Sequence, residues 1–362
     1  MDTDQEFVHS SDGGHFNRHG GLTIVAMPGF EAIAEQVKAL VVERGQREGM
    51  HRTPVDVIVP IVGRFDSDEP KIRLRKQHIG GHDVVILTSG PGTPDMLMNL
   101  QLILGNVSGR QAERITVVSG YFPCGRADKD DEQELAIPPI LLAAWKGAAP
   151  ELKRVVCVDP HSTHITGSRV PGMMVTPVRM TRRLLTKVIT DALSINPNVV
   201  LSFPDNSAHK RFKDALKLVK QQFGRTFPIV FATADRDDDG KAIELVWGAT
   251  ESVPGALVIQ LDDETASGGT QISVAKLLKE RGAAEVWGAV THGVLCGNAP
   301  ANFQDSECPI QRLYVIDTIP VSNRPELRPL LEMGRLHVIS WIEDMAWVVY
   351  MVHWDSNIRD LR

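Results

Sequence analysis

The stretch LVIQLDDETASGGT, residues 257–270, joins two adjacent carboxylates, Asp262 and Asp263, to a short loop of hydroxyls and glycines. The aliphatic start predicts a β-strand, and the following QISVAKLLKERGA has apolar residues at helical spacing. The residues that would begin this helix are Ser267, Gly268, Gly269 and Thr270. Free N–H groups at a helix N-terminus favour an anion, and adjacent carboxylates repel each other unless they face hydroxyls or a metal. The pattern favours a ligand with both a phosphate and a polyol; the alternative is an ordinary turn with a helix cap.

Two further polar clusters could bind phosphates or a divalent cation. In DPHSTH, His161 could serve either purpose, and the alternative is a capped turn in which Asp159 begins a helix. In FPDNSAHKRF, Asp205 lies before a basic pair, Lys210 and Arg211. A carboxylate and small polar residues at a helix start can hold hydrated Mg²⁺ or a pyrophosphate. The alternative is an aspartate cap with solvated basic side chains, and the spacing leaves both choices open.

The remaining clusters are less specific. GRADKDDE is typical of a mobile charged loop, but its Arg126 follows an aromatic pair, Tyr121 and Phe122, which would suit a nucleotide. GRFDSDEPKI, with Phe65 and Glu69, indicates only a hairpin turn. The sequence has no GxSxG, HExxH, CxxC or Walker GxxxxGK[ST] motif, so a bound ATP would not be held by a P-loop.

A framework of strands and helices must position these clusters. From Leu22 onward, aliphatic runs such as VDVIVPIV and RITVVS alternate with amphipathic stretches such as AHKRFKDALKLVKQQFG. This alternation predicts βαβ units, and hence parallel sheets covered by helices on both faces. Most of the clusters follow predicted strands, and ligands of such sheets bind beyond the carboxyl ends of the strands. We therefore expect the clusters to build one composite site.

The number of predicted strands favours two tandem α/β domains over one large sheet. Residues 1–20 are polar, glycine-rich and aperiodic, so we expect a mobile tail. The first domain would comprise residues 21–177 and the second residues 178–340. The segment 341–362 has tryptophans and methionines at helical spacing, and we expect a helix that packs back on the first domain.

Composition narrows the class of protein. The chain has 362 residues, 43% of them hydrophobic, and a net charge of −6, which argues against nucleic-acid binding by bulk electrostatics. No apolar run reaches membrane-spanning length, and no signal-peptide pattern opens the chain. The four cysteines lack CxxC spacing. We expect a cytoplasmic protein without a membrane or nucleic-acid partner, and without zinc.

Six segments in order resemble the ribose-phosphate diphosphokinases, also called phosphoribosyl pyrophosphate synthetases, from about Thr23 to the C-terminus. DDETASGGT is similar to the family's ribose-phosphate loop, which the phosphoribosyltransferases share. GYFPCGRADKD, VCVDPHSTHITG, FPDNSAHKRF, VTHGVL and DTIPV resemble further family segments. Two of the segments look closer to the phosphate-independent second class. The resemblance implies an α/β fold of two tandem phosphoribosyltransferase-like domains, each a mainly parallel sheet flanked by helices.

The resemblance also implies an activity and its ligands. The reaction would transfer a diphosphoryl group from Mg-ATP to the 1-hydroxyl of ribose 5-phosphate, and the protein would be a homo-oligomer. Asp262 and Asp263 would hold the ribose hydroxyls, and the loop from Ser267 to Thr270 would hold the 5-phosphate. The residues that would contact ATP are Phe65 and Glu69, reaching over from a neighbouring subunit, with Arg126, Asp128 and His161. Mg²⁺ would lie near His161 and Asp205, and the catalytic side chains would be Arg236, His161 and Lys210.

Three departures from the family pattern bear on this activity. The family places a lysine two residues before Arg236, and this chain has Ala234 there. Losing such a transition-state cation commonly costs ~10²–10³ in rate, although Lys129 or Lys241 could replace it. Ala266 replaces a frequent aspartate of the ribose loop, and Ala127 replaces the glutamine after the loop arginine. The alternatives are a catalytically weak or silent paralogue that regulates an active synthetase, or a diphosphokinase for another phosphorylated ribosyl compound.

Overall fold

The computed structural model describes residues 8–9, 15–48, 54–75, 78–128, 130, 134–236 and 242–358. The chain forms two compact units. The first consists of Met1–Val178 together with Trp341–Arg362, and the second of Arg179–Ser340. Both contain a sheet of mainly parallel strands with helices packed on it, so the α/β class predicted from the sequence is confirmed.

Parallel strands dominate the first unit. Its strands are β1 (Val8–His9), β2 (His15–Phe16), β3 (Leu22–Ala26), β4 (Val55–Ile58), β5 (Ile61–Arg64), β6 (Pro70–Arg73), β7 (Asp83–Thr88), β8 (Arg114–Ser119), β9 (Leu152–Val158) and β10 (Met174–Val178). Its helices before Val178 are α1 (Glu31–Arg47), α2 (Pro94–Ser108), α3 (Ile137–Ala148) and α4 (Thr163–Gly167). Six strands form an all-parallel sheet in the order β10-β9-β8-β7-β3-β4. The pairs β1–β2 and β5–β6 are antiparallel ribbons.

One strand prediction is wrong in its extent. The run VDVIVPIV does not form a single strand, because β4 ends at Ile58 and β5 begins at Ile61. Pro60 lies between them and has no N–H group to donate to a sheet. The chain therefore leaves the main sheet at this point and enters the β5–β6 hairpin.

The second unit is built around a seven-stranded sheet. Its elements are α5 (Thr181–Leu193), β11 (Val199–Phe203), α6 (Asn206–Phe223), β12 (Ile229–Arg236), β13 (Ala242–Gly248), β14 (Leu257–Thr265), α7 (Gly269–Glu280), β15 (Glu285–Gly293), α8 (Ala299–Gln304), β16 (Ile310–Ile316), α9 (Arg328–Glu332) and β17 (Leu336–Ile339). The order is β13-β12-β11-β14-β15-β16-β17, and only the β12–β13 pair among these is antiparallel. The central strand β14 is buried over its first five residues, which explains its continuous aliphatic composition.

The last helix, α10 (Ile342–His353), belongs to the first unit and packs on α1. Tyr350 Oη donates to Glu48 Oε2 at 2.6 Å, and the guanidinium of Arg44 lies 3.8 Å from the ring centre of Trp347. Residues 17–20, the end of the segment expected to be a mobile tail, reach the same helix, because Asn17 Nδ2 donates to the carbonyl that ends α10. Residues 1–7 and 10–14 of that segment lie outside the described residues. No helix in the described part of the chain is long and apolar enough to cross a membrane.

Candidate functional site

The loop predicted to bind a sugar phosphate lies between β14 and α7 in the second unit. Gly268 is the N-cap of α7, with φ at 77°, a left-handed conformation that favours glycine. A Cβ atom on Gly268 would lie 2.4 Å from the ring of Phe303, so a larger residue would force that ring to move. Ser267 Oγ accepts a hydrogen bond of 3.4 Å from Gly269 N. The expected helix start is present, but its cap is a glycine and not a hydroxyl side chain. Its first-turn amides, which include that of Thr270, have no acceptor within the helix.

A neighbouring segment holds this loop in shape. Cys296 N donates to Ala266 O at 3.1 Å, and Asn302 Nδ2 donates to Ser267 O at 3.0 Å. Both donors follow β15, the strand that pairs with β14. Hydrogen bonds within the unit therefore fix the loop conformation, which is the kind of support that a binding loop needs.

Asp262 and Asp263 both lie within β14, near its carboxyl end. Their side chains are 34% and 7% exposed respectively. Arg211 of α6 bridges them: its Nη2 donates to Asp262 Oδ1 at 3.1 Å and to Asp263 Oδ1 at 2.9 Å. The Oδ1 atom of Asp262 also accepts from Asp263 N at 2.9 Å. One guanidinium thus orients both carboxylates.

The carboxylate pair is electrostatically strained. Burial, together with the negative charge of Asp263, raises the pKa of Asp262 to about 7, although the Asp263 amide and Arg211 act in the opposite direction. One positive charge does not fully compensate two adjacent negative charges that are partly withdrawn from water. Donors that approach this strand end, such as a pair of sugar hydroxyls, would relieve part of that strain.

Arg211 is the site residue that the sequence interpretation missed. The sequence predicts either a phosphate ligand or a solvated face for the basic pair, and it suggests a catalytic role only for Lys210. Lys210 is exposed on α6, whereas Arg211 turns toward β14. Helical periodicity separates these two neighbours by about 100°, so one can face solvent while the next faces the sheet. This periodicity, together with two adjacent carboxylates that require a cation, is the sequence signal that could indicate Arg211.

Asp205 caps helix α6. Its Oδ1 accepts from Ala208 N at 2.7 Å, which is the capping role that the sequence left open. This carboxylate is exposed, and its second oxygen has no hydrogen-bond partner among the described residues. That oxygen has the chemistry of a Mg²⁺ ligand.

The cations expected after β12 are described only in part. Ala234 and Arg236 lie in β12 and pair with Glu244 and Ala242 of β13. The side chain of Arg236 is not among those described, and both Lys241 and Lys129 lie outside the described residues. Their roles therefore stay predictions.

In the first unit, the loop after β8 lies against the residues after β9. A Cβ atom built on Gly125 would lie 3.9 Å from His161 Cβ, so the loop that carries Arg126 and Asp128 passes beside this histidine. Arg126 is exposed, and Asp128 and His161 are partly buried. The predicted nucleotide residues at the carboxyl ends of β8 and β9 are therefore neighbours.

Asp159 does not begin the helix that follows β9. The cap of α4 is Ser162, whose Oγ accepts from His164 N at 3.1 Å, so the capped-turn alternative is wrong in its choice of residue. Asp159 is buried, with φ at 31°, which turns the chain sharply after the strand. The strand itself ends at Val158 and does not continue through His161.

Phe65 and Glu69 lie at the tip of the β5–β6 hairpin. Phe65 N donates to Glu69 O at 2.9 Å, so the hairpin turn indicated by the sequence is confirmed. The phenyl ring is 50% exposed, and Lys71 Nζ lies 4.7 Å from its centre. An exposed aromatic ring on a hairpin is available to a ligand or to another chain.

The mainly parallel sheets and a glycine-capped helix start beside a carboxylate pair define a phosphoribosyltransferase-like protein. The family "N-terminal domain of ribose phosphate pyrophosphokinase" matches residues 24–145, and "Phosphoribosyl synthetase-associated domain" matches residues 246–328. The crystal structure of phosphoribosylpyrophosphate synthetase from Mycobacterium smegmatis matches with a TM-score of 0.74 and 26% identity, over 93% of this chain and 100% of that chain.

Curated relatives agree with these matches. The ribose-phosphate pyrophosphokinase of Buchnera aphidicola is 31% identical over 278 residues, which cover 74% of this chain and 81% of the relative. That of Rhodopirellula baltica is 28% identical over 316 residues, or 86% of this chain and 92% of the relative. The chain belongs to the ribose-phosphate pyrophosphokinase family, also called the phosphoribosyl pyrophosphate synthetases.

Proposed function

We propose that the protein transfers a diphosphoryl group from Mg-ATP to the 1-hydroxyl of ribose 5-phosphate, giving phosphoribosyl pyrophosphate and AMP. The observation that carries this proposal is the end of β14 in the second unit. A carboxylate pair there precedes a glycine-capped helix start, and the loop between them is held by hydrogen bonds within the unit. Few ligands other than a sugar phosphate need both features. The names of the relatives support the same substrate class.

The pentose phosphate would bind entirely through the second unit. Asp262 and Asp263 would accept from the ribose hydroxyls, with Arg211 holding their carboxylates in position. The amides and hydroxyls of Ser267 to Thr270 would donate to the 5-phosphate, which the α7 dipole favours. This arrangement would fix the sugar and leave its 1-hydroxyl for the reaction.

The nucleotide would use residues of the first unit. Arg126, Asp128 and His161 would contact ATP and its phosphates, and Phe65 and Glu69 would reach the adenine of a neighbouring subunit. The exposure of the hairpin tip supports a role outside its own unit. Phosphoryl transfer needs positioning and charge neutralisation more than covalent catalysis, and these residue types supply both.

A magnesium ion would supply the positive charge that the phosphates need. Asp205 fits this ion, because it offers a hard carboxylate oxygen that is exposed and not used by the helix cap. His161 fits less well as a direct ligand, since imidazole is a softer donor than Mg²⁺ prefers. We expect His161 to serve better as a donor to phosphate oxygens.

One transition-state cation of the family pattern is absent from this chain. Arg236 and Lys210 are retained, but Ala234 occupies the place of a family lysine. A silent paralogue that regulates an active synthetase would be free to lose that lysine. An enzyme for another phosphorylated ribosyl compound is the third candidate, and Ala266 in the ribose loop favours it.

AMP release from Mg-ATP and ribose 5-phosphate tests the proposal directly. The active-enzyme proposal predicts AMP formation that stops when Asp262 and Asp263 are both replaced by Asn, with the fold retained. Asp214→Asn, an exposed position on α6, is the matched control and should leave the rate unchanged. Absence of AMP, with ribose 5-phosphate still binding in calorimetry, would instead favour the silent paralogue.

The variant Ala234→Lys distinguishes further between an active enzyme and a silent paralogue. In a working enzyme that lacks one cation, the added lysine should raise turnover, because the developing charge gains a partner only in the transition state. In a silent paralogue, one lysine should not create activity. A vigorous wild-type rate that falls in Ala234→Lys would show that another residue already fills the role, with Lys241 the first candidate.

A further inference from the structure

A cavity of about 410 Å³ lies in the first unit, beside the amino ends of three strands. Its polar wall contains Arg114 and Thr116 of β8 and Lys153 and Arg154 of β9. The nucleotide residues proposed above follow the carboxyl ends of β8 and β9, so this cavity lies at the opposite end of the same strands. Its size falls within the range of small-molecule sites.

The charges around the cavity are unequal. Arg114 is already paired, because its Nη2 lies 2.6 Å from Asp83 and its Nη1 contacts Asp355. Arg154 donates from Nη1 to the hydroxyl of Thr176 at 3.0 Å and forms no ion pair with any described acid. Lys153 is exposed and likewise has no described ion pair. Neither Arg154 nor Lys153 is therefore in an ion pair with a described acid, although the charge of Asp355 acts on Arg154.

The positive charges of Arg114 and Arg154 repel each other. Burial, and after it the positive charge of Arg114, lowers the pKa of Arg154, and Asp355 offsets only part of this effect. Two guanidinium groups held close together in a partly dry wall are mutually repulsive. A bound anion would turn that repulsion into attraction.

A buried hydroxyl adds an independent sign of a ligand. Thr116 is fully buried, and its Oγ1 has no hydrogen-bond partner in the described part of the chain. It is the register partner of Arg154 across the β8–β9 pair, and both line the cavity. A valine would fill the same volume without leaving a buried hydroxyl unpaired.

We propose that this cavity binds the phosphate group of a small molecule, or free phosphate. Arg154 and Lys153 would donate to its oxygens, because a dianion would pair with two cations that have no described ion pair and offers several acceptors. Rotation of the buried Thr116 side chain would bring its hydroxyl to a further oxygen. Met173 and Met174 form an apolar part of the wall and would contact the remainder of a phosphate ester.

Lysine footprinting on the full-length protein tests this site, because it measures how fast Lys153 in the cavity wall is acetylated. Inorganic phosphate should slow the acetylation of Lys153 and leave that of Lys213, an exposed lysine on α6, unchanged. If the natural occupant is a phosphate ester, phenyl phosphate should protect Lys153 at a lower concentration than inorganic phosphate does. If the occupant is the free anion, the two compounds should protect Lys153 at the same concentration. Thr270→Val, placed in the proposed ribose-phosphate loop, should leave Lys153 protection intact and so separate the two phosphate sites.

Variants make the proposal quantitative. Thr116→Val should weaken phosphate protection of Lys153 about tenfold, and Arg154→Gln by about tenfold or more. Arg47→Gln, which removes one exposed charge from α1, is the matched control and should have no effect. Absence of phosphate protection at Lys153 in the wild type would overturn the proposal. Equal protection in Thr116→Val, Arg154→Gln and the control would also overturn it.

Discussion

Asp262→Asn should stabilise the second unit at the pH where the proposed enzyme would work. The wild-type pKa of this carboxyl group is raised from 3.8 to about 7 by burial and by the charge of Asp263. A carboxyl group whose pKa is raised by folding opposes folding once it is ionised. Its favourable contribution is complete below about pH 4 and is lost as the pH rises through about 7. Asparagine does not ionise, so the variant should not lose this contribution as the pH rises.

The magnitude follows from the size of the shift. A shift of about three units corresponds to about 4 kcal/mol, at 1.36 kcal/mol for each unit. The side chain is 34% exposed, and water screens part of the interaction. We therefore expect about half of that value, or about 2 kcal/mol of free energy of unfolding, to separate the wild type from Asp262→Asn at pH 8.

The assay is urea denaturation between pH 4 and pH 8, with hydrogen exchange of β14 amides to report on the second unit alone. The free energy of unfolding of the variant should exceed that of the wild type by an amount that increases with pH. This difference should shrink toward pH 4. Asp214→Asn, on the exposed face of α6, should run parallel to the wild type. Parallel curves for Asp262→Asn would refute the reasoning, because they would mean that the carboxylate pair is not strained.

Three further predictions concern neighbouring features. Arg211→Met should lower stability at pH 8 by about 1–3 kcal/mol and weaken ribose 5-phosphate binding in calorimetry, whereas Arg211→Lys should recover part of both; unchanged binding would remove Arg211 from the site. Arg114→Met should cost about 3–5 kcal/mol in denaturation, because Asp83 is buried and held by this arginine. The Arg114 and His353 hydrogen bonds keep the pKa of Asp83 low despite its burial, so this contribution is present at neutral pH and fades as the pH falls. Gly268→Ala should cost about 1–3 kcal/mol through its left-handed backbone, and a melting temperature equal to that of the wild type would contradict this.

Sequence alone determined the framework of this protein because the framework is a matter of local pattern. Alternating aliphatic runs and amphipathic stretches specify parallel α/β units, since a strand covered on both faces must be apolar throughout. The glycine loop before α7 could be read in the same way, because a left-handed backbone at a helix start favours glycine. The DDETASGGT loop carried both the candidate chemistry and the family resemblance.

Only the tertiary structure decided which polar side chains face each other. Arg211 follows Lys210 in the chain, yet one helical step directs it to the carboxylates of β14, some 50 residues away in sequence. The sequence does not predict the edge strand β13, because an exposed edge imposes no continuous apolar pattern. The cavity wall at Thr116 and Arg154 likewise arises from strand register. Register is a long-range property, since it depends on how separate segments pair, and no local pattern in either strand specifies it.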